Sequence, residues 1–416
     1  MSKEKYLNFI FTRYLYEKEE VEIALLLSLL YKKEKETLFW VYELYYSGFE
    51  QELWNLLWNI FIEFYASSNP GFETYLIKKH KEFIKCSSNE REKTGILYSV
   101  IQNLFIRPFN MDVFLLKQIH ANFELEVDNS SLSSLNENKV WIEKLFKEDS
   151  NLDWEKLLNI IYLKDFDLDL DLVFCIKFLK DLTEYLNLKV EAKCIKILNT
   201  FEKTCLFHSS NVPSIDKKTF LLSKILNIYG YFKKKKMGKN IYVSCEESNE
   251  FNIYETIKAD QVLNLCAYKI LEQVRIVEID NLNSLSLFHL KRDNLFLDIR
   301  EAFLNHWLYH ASKSPVWLER IHQYKGKVLE EEKKVVFLEE GEDEEDDVLL
   351  QAFYDCYGYE PDEQKKEVQD KSIALNNNTG CKKTWLQVYK ELGVSSGFLV
   401  IDEEYLEQLE KVTFMF

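Results

Sequence analysis

Leu38-Phe39-Trp40-Val41-Tyr42-Glu43-Leu44-Tyr45-Tyr46-Ser47-Gly48-Phe49 is the stretch on which the fold is read. Large apolar rings crowd it up to Ser47-Gly48, where a break interrupts the pattern. Beyond the break Trp54, Leu57, Trp58, Phe61, Phe64 and Tyr65 recur at spacings of three and four. That period puts the rings on one broad helical stripe that must be buried against neighbours. Ala24 to Tyr65 therefore reads as helix, break at Ser47-Gly48, helix, and the cluster Lys32, Lys33, Glu34, Lys35, Glu36 within it marks a water-facing turn between helices. The signal is architectural and carries no chemistry of its own.

The rest of the chain extends the same reading. In 416 residues there are only 11 Gly and 5 Pro, against 47% hydrophobic and 15% aromatic residues. A sheet-rich protein needs many tight turns built on Gly, Pro and Asn, so this scarcity predicts long helices joined by polar turns. Helices are expected at Lys3 to about Tyr16, Val21–Tyr31, Lys35–Tyr46, Gln51–Tyr65, Gly71–Lys85 and Glu92–Phe105, the last stopped by Pro108. Asp112 is expected to cap a segment through Asn122. Further helices are expected at Val140–Lys147, Trp154–Leu163 (N-capped by Asp153), Leu170–Leu186, Val190–Cys205 and Lys217–Tyr229, then Ile253–Val274, Asp298–Ala311 and Pro315–Tyr324. Val348–Tyr357, Trp385–Leu392 and Glu403–Val412 close the series. Tyr229 to Ser244 reads as a β-hairpin turning near Gly238, and Gly326–Leu329 with Lys334–Leu338 as a second one.

The expected class is mainly α: an irregular helical array, solenoid- or bundle-like, with one or two small β-hairpins. No fixed repeat period is present. Four segments are delimited: an aromatic-rich helical domain over 1–125, a second helical segment over 138–207, an α+β segment over 217–325 with the lysine-rich hairpin, and 326–416 with a hairpin, an acidic loop and the C-terminal helices.

Charge is unevenly spread. The net charge is −16, of which residues 330–347 supply −9. Only seven of the 53 basic residues are Arg, the side chain best shaped for phosphate and base edges, which weighs against a dedicated nucleic-acid binder. The eight cysteines (86, 175, 194, 205, 245, 266, 356 and 381) show no C-x-x-C pair and read as free, reduced thiols. No signal peptide or membrane-length apolar run is found, so a soluble, cytoplasmic protein is expected.

Few clusters could carry chemistry. His306 and His310 lie four apart with His322 nearby, but Trp307, Leu308 and Tyr309 stand between the first two where a zinc protease would need its glutamate. The run Asp165, Asp167, Asp169, Asp171 lacks the Gly and Glu of a calcium loop. Lys233, Lys234, Lys235, Lys236 and Lys239, beside Tyr229, Tyr231, Phe232 and Tyr242, form the best nucleic-acid candidate. A basic hairpin after a helix resembles the wing of a winged-helix module, whose lysines would meet phosphates as point charges. No phosphate-cradling glycine motif, nucleophile elbow or Cys/His zinc spacing occurs. No catalytic residue, metal or cofactor is expected.

Leu38 to Phe49 resembles a signature of an uncharacterised family of giant, nucleocytoplasmic large DNA viruses. Tyr357-Gly358-Tyr359-Glu360-Pro361-Asp362-Glu363-Gln364 is similar to the C-terminal part of the same family. The resemblance implies a setting, host cytoplasm or viral factory, and brings no catalytic residue with it. The function expected is a non-enzymatic scaffold or adaptor mediating protein–protein contacts in a viral assembly or replication compartment. Phe353, Tyr354, Tyr357 and Tyr359 are its candidate partner-binding residues. The alternative is an accessory factor of viral transcription, replication or translation that binds nucleic acid through the lysine-rich hairpin. Oligomeric state is not legible in the sequence.

Overall fold

The aromatic stretch folds as its spacing requires. In the computed structural model, which describes residues 10–13, 15–86, 90–122, 142–143, 145–147, 151–162, 172–186, 192–211, 215–243, 306–337, 348–357, 384–392, 399, 401 and 403–408, helices predominate. The chain forms two compact units, neither continuous in sequence. One comprises Met1–Leu53, Cys245–Lys383 and Thr413–Phe416; the other comprises Trp54–Ser244 and Thr384–Val412. The boundaries expected at 125–138 and 207–217 thus fall inside the second unit, and the 217–325 segment is divided between the two.

In the first unit α1 (Lys18–Leu30) and α2 (Glu34–Tyr46) fold back on one another across a short turn. Val21, Ile23, Ala24, Leu25, Leu26, Leu27, Leu29 and Leu30 are all buried, so α1 lies in the core from Ile23 onward, its charged residues confined to the first turns. The predicted helix over 3–16 is not seen where it is described. Residues 10–17 instead make a tight loop closed by a Phe11–Glu17 bridge, and Arg13 is what holds it. Its backbone N–H donates to Ser47 Oγ at 2.9 Å, and its buried guanidinium donates through Nε to Glu43 Oε2 at 2.9 Å.

Gly48 has φ +90°, and a Cβ there would lie 2.5 Å from Pro315 Cβ. Only glycine allows both the left-handed turn and that approach. The helix starting at Pro315 is fixed further by Trp317, whose Nε1–H donates to Thr12 O at 3.1 Å. Among the described residues, the remaining helices of this unit are α11 (Trp307–Ala311), α12 (Pro315–Gln323) and α13 (Val348–Tyr357). Strands β3 (Gly326–Leu329) and β4 (Lys334–Phe337) pair antiparallel with Gly326 opposite Phe337, the hairpin expected from the sequence.

The division between the units falls inside α3 (Glu50–Ile60). That helix continues as a fully buried π-helix, Phe61–Tyr65, closed by the Ala66 N–H to Phe61 O bond. In the second unit follow α4 (Phe72–Lys85), α5 (Glu90–Phe105), α6 (Asp112–Asn122), α7 (Trp154–Tyr162), α8 (Leu172–Tyr185), α9 (Ala192–Asn211) and α10 (Lys217–Phe232). Later in the chain α14 (Trp385–Leu392) and α15 (Glu403–Gln408) belong to the same unit. The helix predicted over 140–147 is helical at residues 142–143 and gives way at its end to β1 (Phe146–Lys147), paired with β2 (Asn151–Leu152). Asp153 accepts from the Lys156 N–H at the start of α7, as a capping residue should.

The second unit is organised around α10, whose residues Thr219 to Gly230 are all buried. Its polar members need internal partners, and among the described residues all but the Asn227 Oδ1 have them. Lys224 pairs with Glu73 on α4, and Thr204 on α9 donates to the other Glu73 oxygen. The Asn227 Nδ2 donates to Ser67 O at 2.9 Å and to Ala66 O at 3.3 Å.

His80 on α4 is buried beside two tryptophans. Trp58 Nε1–H donates to its Nδ1 at 3.0 Å, and the Trp54 ring stacks on it at 4.1 Å. Burial, with His208 nearby, pulls its pKa down to about 3 from an ordinary 6.5. The folded state therefore binds fewer protons than the unfolded one between those values. Stability from this group is present above pH 6.5 and is lost as pH falls towards 3. About 2 kcal/mol should disappear between pH 6.5 and 5. His80→Gln should flatten that part of the urea-midpoint profile, and an unchanged slope would mean that His80 is solvated.

Candidate docking groove

The lysine run does not form a hairpin. α10 continues to Phe232, and Lys234, at φ +55°, occupies the left-handed position that ends it. The Lys234 N–H bonds Tyr231 O at 3.0 Å and the Lys235 N–H bonds Gly230 O at 2.8 Å, a Schellman closure. Tyr-Gly-Tyr-Phe looked strand-like because its rings suit a sheet, but burial along α10 keeps it helical. Lysines at this end also complement the negative pole of the helix. No strand is assigned over 233–243, and no ladder partner is found there among the described residues. The winged-helix comparison loses its wing.

Residues 235–243 instead form a strap laid across α4, α5 and the loop after α5. The Gly238 N–H donates to Ser68 O at 2.8 Å, and a Cβ on Gly238 would collide with Asn69 Oδ1. Asn69 is itself held by bonds from its Nδ2 to Tyr65 O and Pro108 O. At the far end Asn103 uses its amide as a strand would use its backbone: Val243 N–H donates to Oδ1 at 2.9 Å, and Nδ2 donates to Val243 O at 3.1 Å.

Between these anchors, Arg107 is nearly enclosed. Its Nη2 donates to Ile241 O at 3.0 Å, and its guanidinium carbon lies 4.1 Å from the Phe72 ring centroid and 4.8 Å from that of Tyr242. Burial pulls its pKa down, with Tyr242 and Tyr75 acting in the opposite direction; an arginine stays cationic regardless. Tyr242 stacks on Tyr75 at 4.7 Å and its hydroxyl donates to Gly71 O at 3.2 Å.

Strap and loop enclose a groove of about 550 Å³ lined by Ile106, Arg107, Pro108, Lys236, Met237, Gly238, Lys239, Ile241 and Val243. Its walls are apolar and its charged lining residues are all cationic. Ile106, Ile241 and Val243 are 47%, 56% and 39% exposed, an apolar lip open to water.

The five candidate lysines are only partly gathered here. Lys236 and Lys239 line the groove and are exposed. Lys233 is tied to Asn151 Oδ1 at 3.0 Å and lies over the Tyr229 and Phe232 rings. Lys235 is half-buried, and its pKa is pulled down by burial and partly restored by Asp112. Lys234 is exposed and serves as the helix stop. Asn103, Arg107, Ile241 and Val243 escaped the sequence reading. The one local signal was an Arg next to a Pro in a chain with few of either.

The other candidates lie in the first unit. Phe353 is fully buried among Trp317, Tyr324, Phe337 and Tyr357, with the Phe337 centroid 4.8 Å away. It is a core residue and not a partner contact, because its helix turns that face inward. Tyr354 and Tyr357 are half-buried, and the Tyr357 hydroxyl donates to Gln323 Oε1 at 3.2 Å. Tyr359 lies outside the described residues, as do the Asp165–Asp171 run, the acidic segment 339–347 and the helix predicted over 253–274. His310 is buried edge-on to Phe11, while His306 and His322 are exposed. Among the described residues no group of three His, Cys, Asp or Glu could hold a metal ion, and no helix is long and apolar enough to cross a membrane. Cys86, Cys175, Cys194, Cys205 and Cys356 are free thiols.

What fold and groove define is a class: a mainly helical protein with a basic, apolar-walled groove. No family model, curated protein or solved structure matches the chain.

Proposed function

We propose that the protein is a non-enzymatic helical adaptor that holds protein partners, and that the 106–108/236–243 groove is one of its docking faces. The observation that carries the reading is the groove's character: apolar walls and cationic lining on a chain whose net charge is −16. A protein segment with acidic and apolar side chains matches both properties, whereas a polyanion would leave the apolar lip unused. The two phrases resembling a large DNA virus family suggest an assembly or replication compartment as the setting.

The nucleic-acid reading is disfavoured by what the lysines already do. Lys234, Lys236 and Lys239 are left as exposed phosphate contacts, and the groove's arginine is enclosed between rings. Three contacts would give a log–log salt slope of about −2 to −3, against a field that repels polyanions. Binding of single-stranded and duplex DNA is measured at about 50 and 200 mM salt, for wild type and for Lys236→Glu/Lys239→Glu. The expected result is no salt-sensitive binding by either protein. Affinity capture from expressing cells should recover a partner with wild type and lose it with the double variant. Salt-sensitive DNA binding abolished by the double variant would replace the adaptor with the accessory nucleic-acid factor.

A further inference from the structure

We infer that the strap takes its partner by strand addition: an extended peptide carrying acidic and apolar residues pairs with the open backbone edge at Asn240 and Tyr242. The inference rests on reading the groove as a docking face and adds how the face is used. Residues 239–243 alternate with a period of two. Lys239, Ile241 and Val243 line the groove, whereas Tyr242 turns to Tyr75 and Asn240 comes against Gly71. That alternation is the mark of extended backbone.

In extended backbone, successive residues also present their N–H and C=O to opposite sides. Ile241 O, Val243 N–H and Val243 O are taken by Arg107 and Asn103. Among the described residues, the backbone N–H and C=O of Asn240 and Tyr242 bond no group, and those of Lys239 likewise bond none. One edge of the strap is therefore satisfied by side chains and the other is open. An open edge is a template for another chain, and main-chain pairing supplies affinity while side-chain pockets supply specificity.

The lining residues then set the partner's chemistry. Apolar side chains of the added strand would lie beside Ile241 and Val243 on the groove face. Carboxylates would face Lys236 and Lys239, and no acidic residue of the groove opposes them.

The test uses the full-length protein and a labelled probe, the nonapeptide Glu-Glu-Ser-Val-Thr-Ile-Ser-Glu-Glu with both ends blocked, followed by fluorescence anisotropy. Its acidic ends make it indifferent to strand direction. Three relatives accompany it: one with every Glu replaced by Lys, and two N-methylated at alternate residues in opposite phases. The parent is expected to bind, and the Lys version to bind at least tenfold more weakly. N-methylation in one phase should weaken binding at least tenfold, and in the other leave it within about threefold, since only one set of N–H groups faces the edge. Lys236→Glu/Lys239→Glu, at exposed positions, should lose the parent peptide while its circular dichroism is unchanged.

Equal binding of the parent and both N-methylated peptides would overturn strand addition and leave the groove a docking face for side chains alone. Absence of binding by every peptide, with the capture partner still lost in the double variant, would likewise overturn strand addition but not the adaptor. Displacement of bound parent peptide by oligothymidylate at low salt would overturn both.

Discussion

Replacing Lys224 by alanine is expected to lower the unfolding free energy by about 3–5 kcal/mol, measured by urea denaturation. Lys224 and Glu73 are both fully buried, at 0% side-chain exposure. Water cannot compensate a carboxylate left behind in such a place, and the Thr204 hydroxyl alone does not balance a charge. The loss reflects the orphaned partner and not the net value of the pair. Removing both charges with apolar side chains of similar volume, Lys224→Met with Glu73→Leu, should therefore recover most of the loss. The Lys78–Glu82 pair, at 72% and 37% exposure and spaced i, i+4, provides the contrast: Lys78→Ala should cost about 0.5 kcal/mol or less. A cost below about 1 kcal/mol for Lys224→Ala, on the scale of an exposed pair, would mean that water reaches Glu73.

Phe353→Ala should cost about 3–5 kcal/mol as well, through the transfer and cavity terms of a buried ring. Its ring meets Trp317, Tyr324, Phe337 and Tyr357, and Arg320 lies 4.6 Å above the Trp317 ring and 4.9 Å from that of Tyr357. A cluster closed in this way cannot collapse into the void without moving the hairpin that carries Phe337. Tyr354, half-buried on the same helix, is the control, and Tyr354→Ala should cost about 1 kcal/mol or less. The pair of variants separates core from contact surface. If Phe353→Ala left the urea midpoint unchanged yet abolished partner capture, Phe353 would be the anchor that its sequence context suggested.

Much of the helical framework was legible in advance because its causes are local. The expected helices Lys35–Tyr46, Trp154–Leu163, Pro315–Tyr324 and Val348–Tyr357 each match an observed helix to within a residue. Asp153 before Trp154 and the hairpin of 326–337 were legible for the same reason: capping and turn chemistry act within a few residues. The scarcity of Gly and Pro bore on the whole chain, and it pointed correctly to helix over sheet.

What only the tertiary structure decided depends on partners far away in sequence. Locally, Lys217–Tyr229 reads as a helix and Tyr229 to Ser244 as a hairpin, whereas the helix runs to Phe232. Its burial along twelve successive residues comes from helices packed around it, and that environment holds Tyr229 to Phe232 in the helix. The lysine run became a helix stop and a strap because Asn103, 140 residues from Val243, and Arg107, 134 residues from Ile241, supply the hydrogen bonds a second strand would have made. Gly48 is required by Pro315, and Phe353 turns inward because Trp317 and Phe337 are there to receive it. Periodicity says that a face will be buried; which residues bury it, and which backbone edge is left open, is set only when distant segments meet.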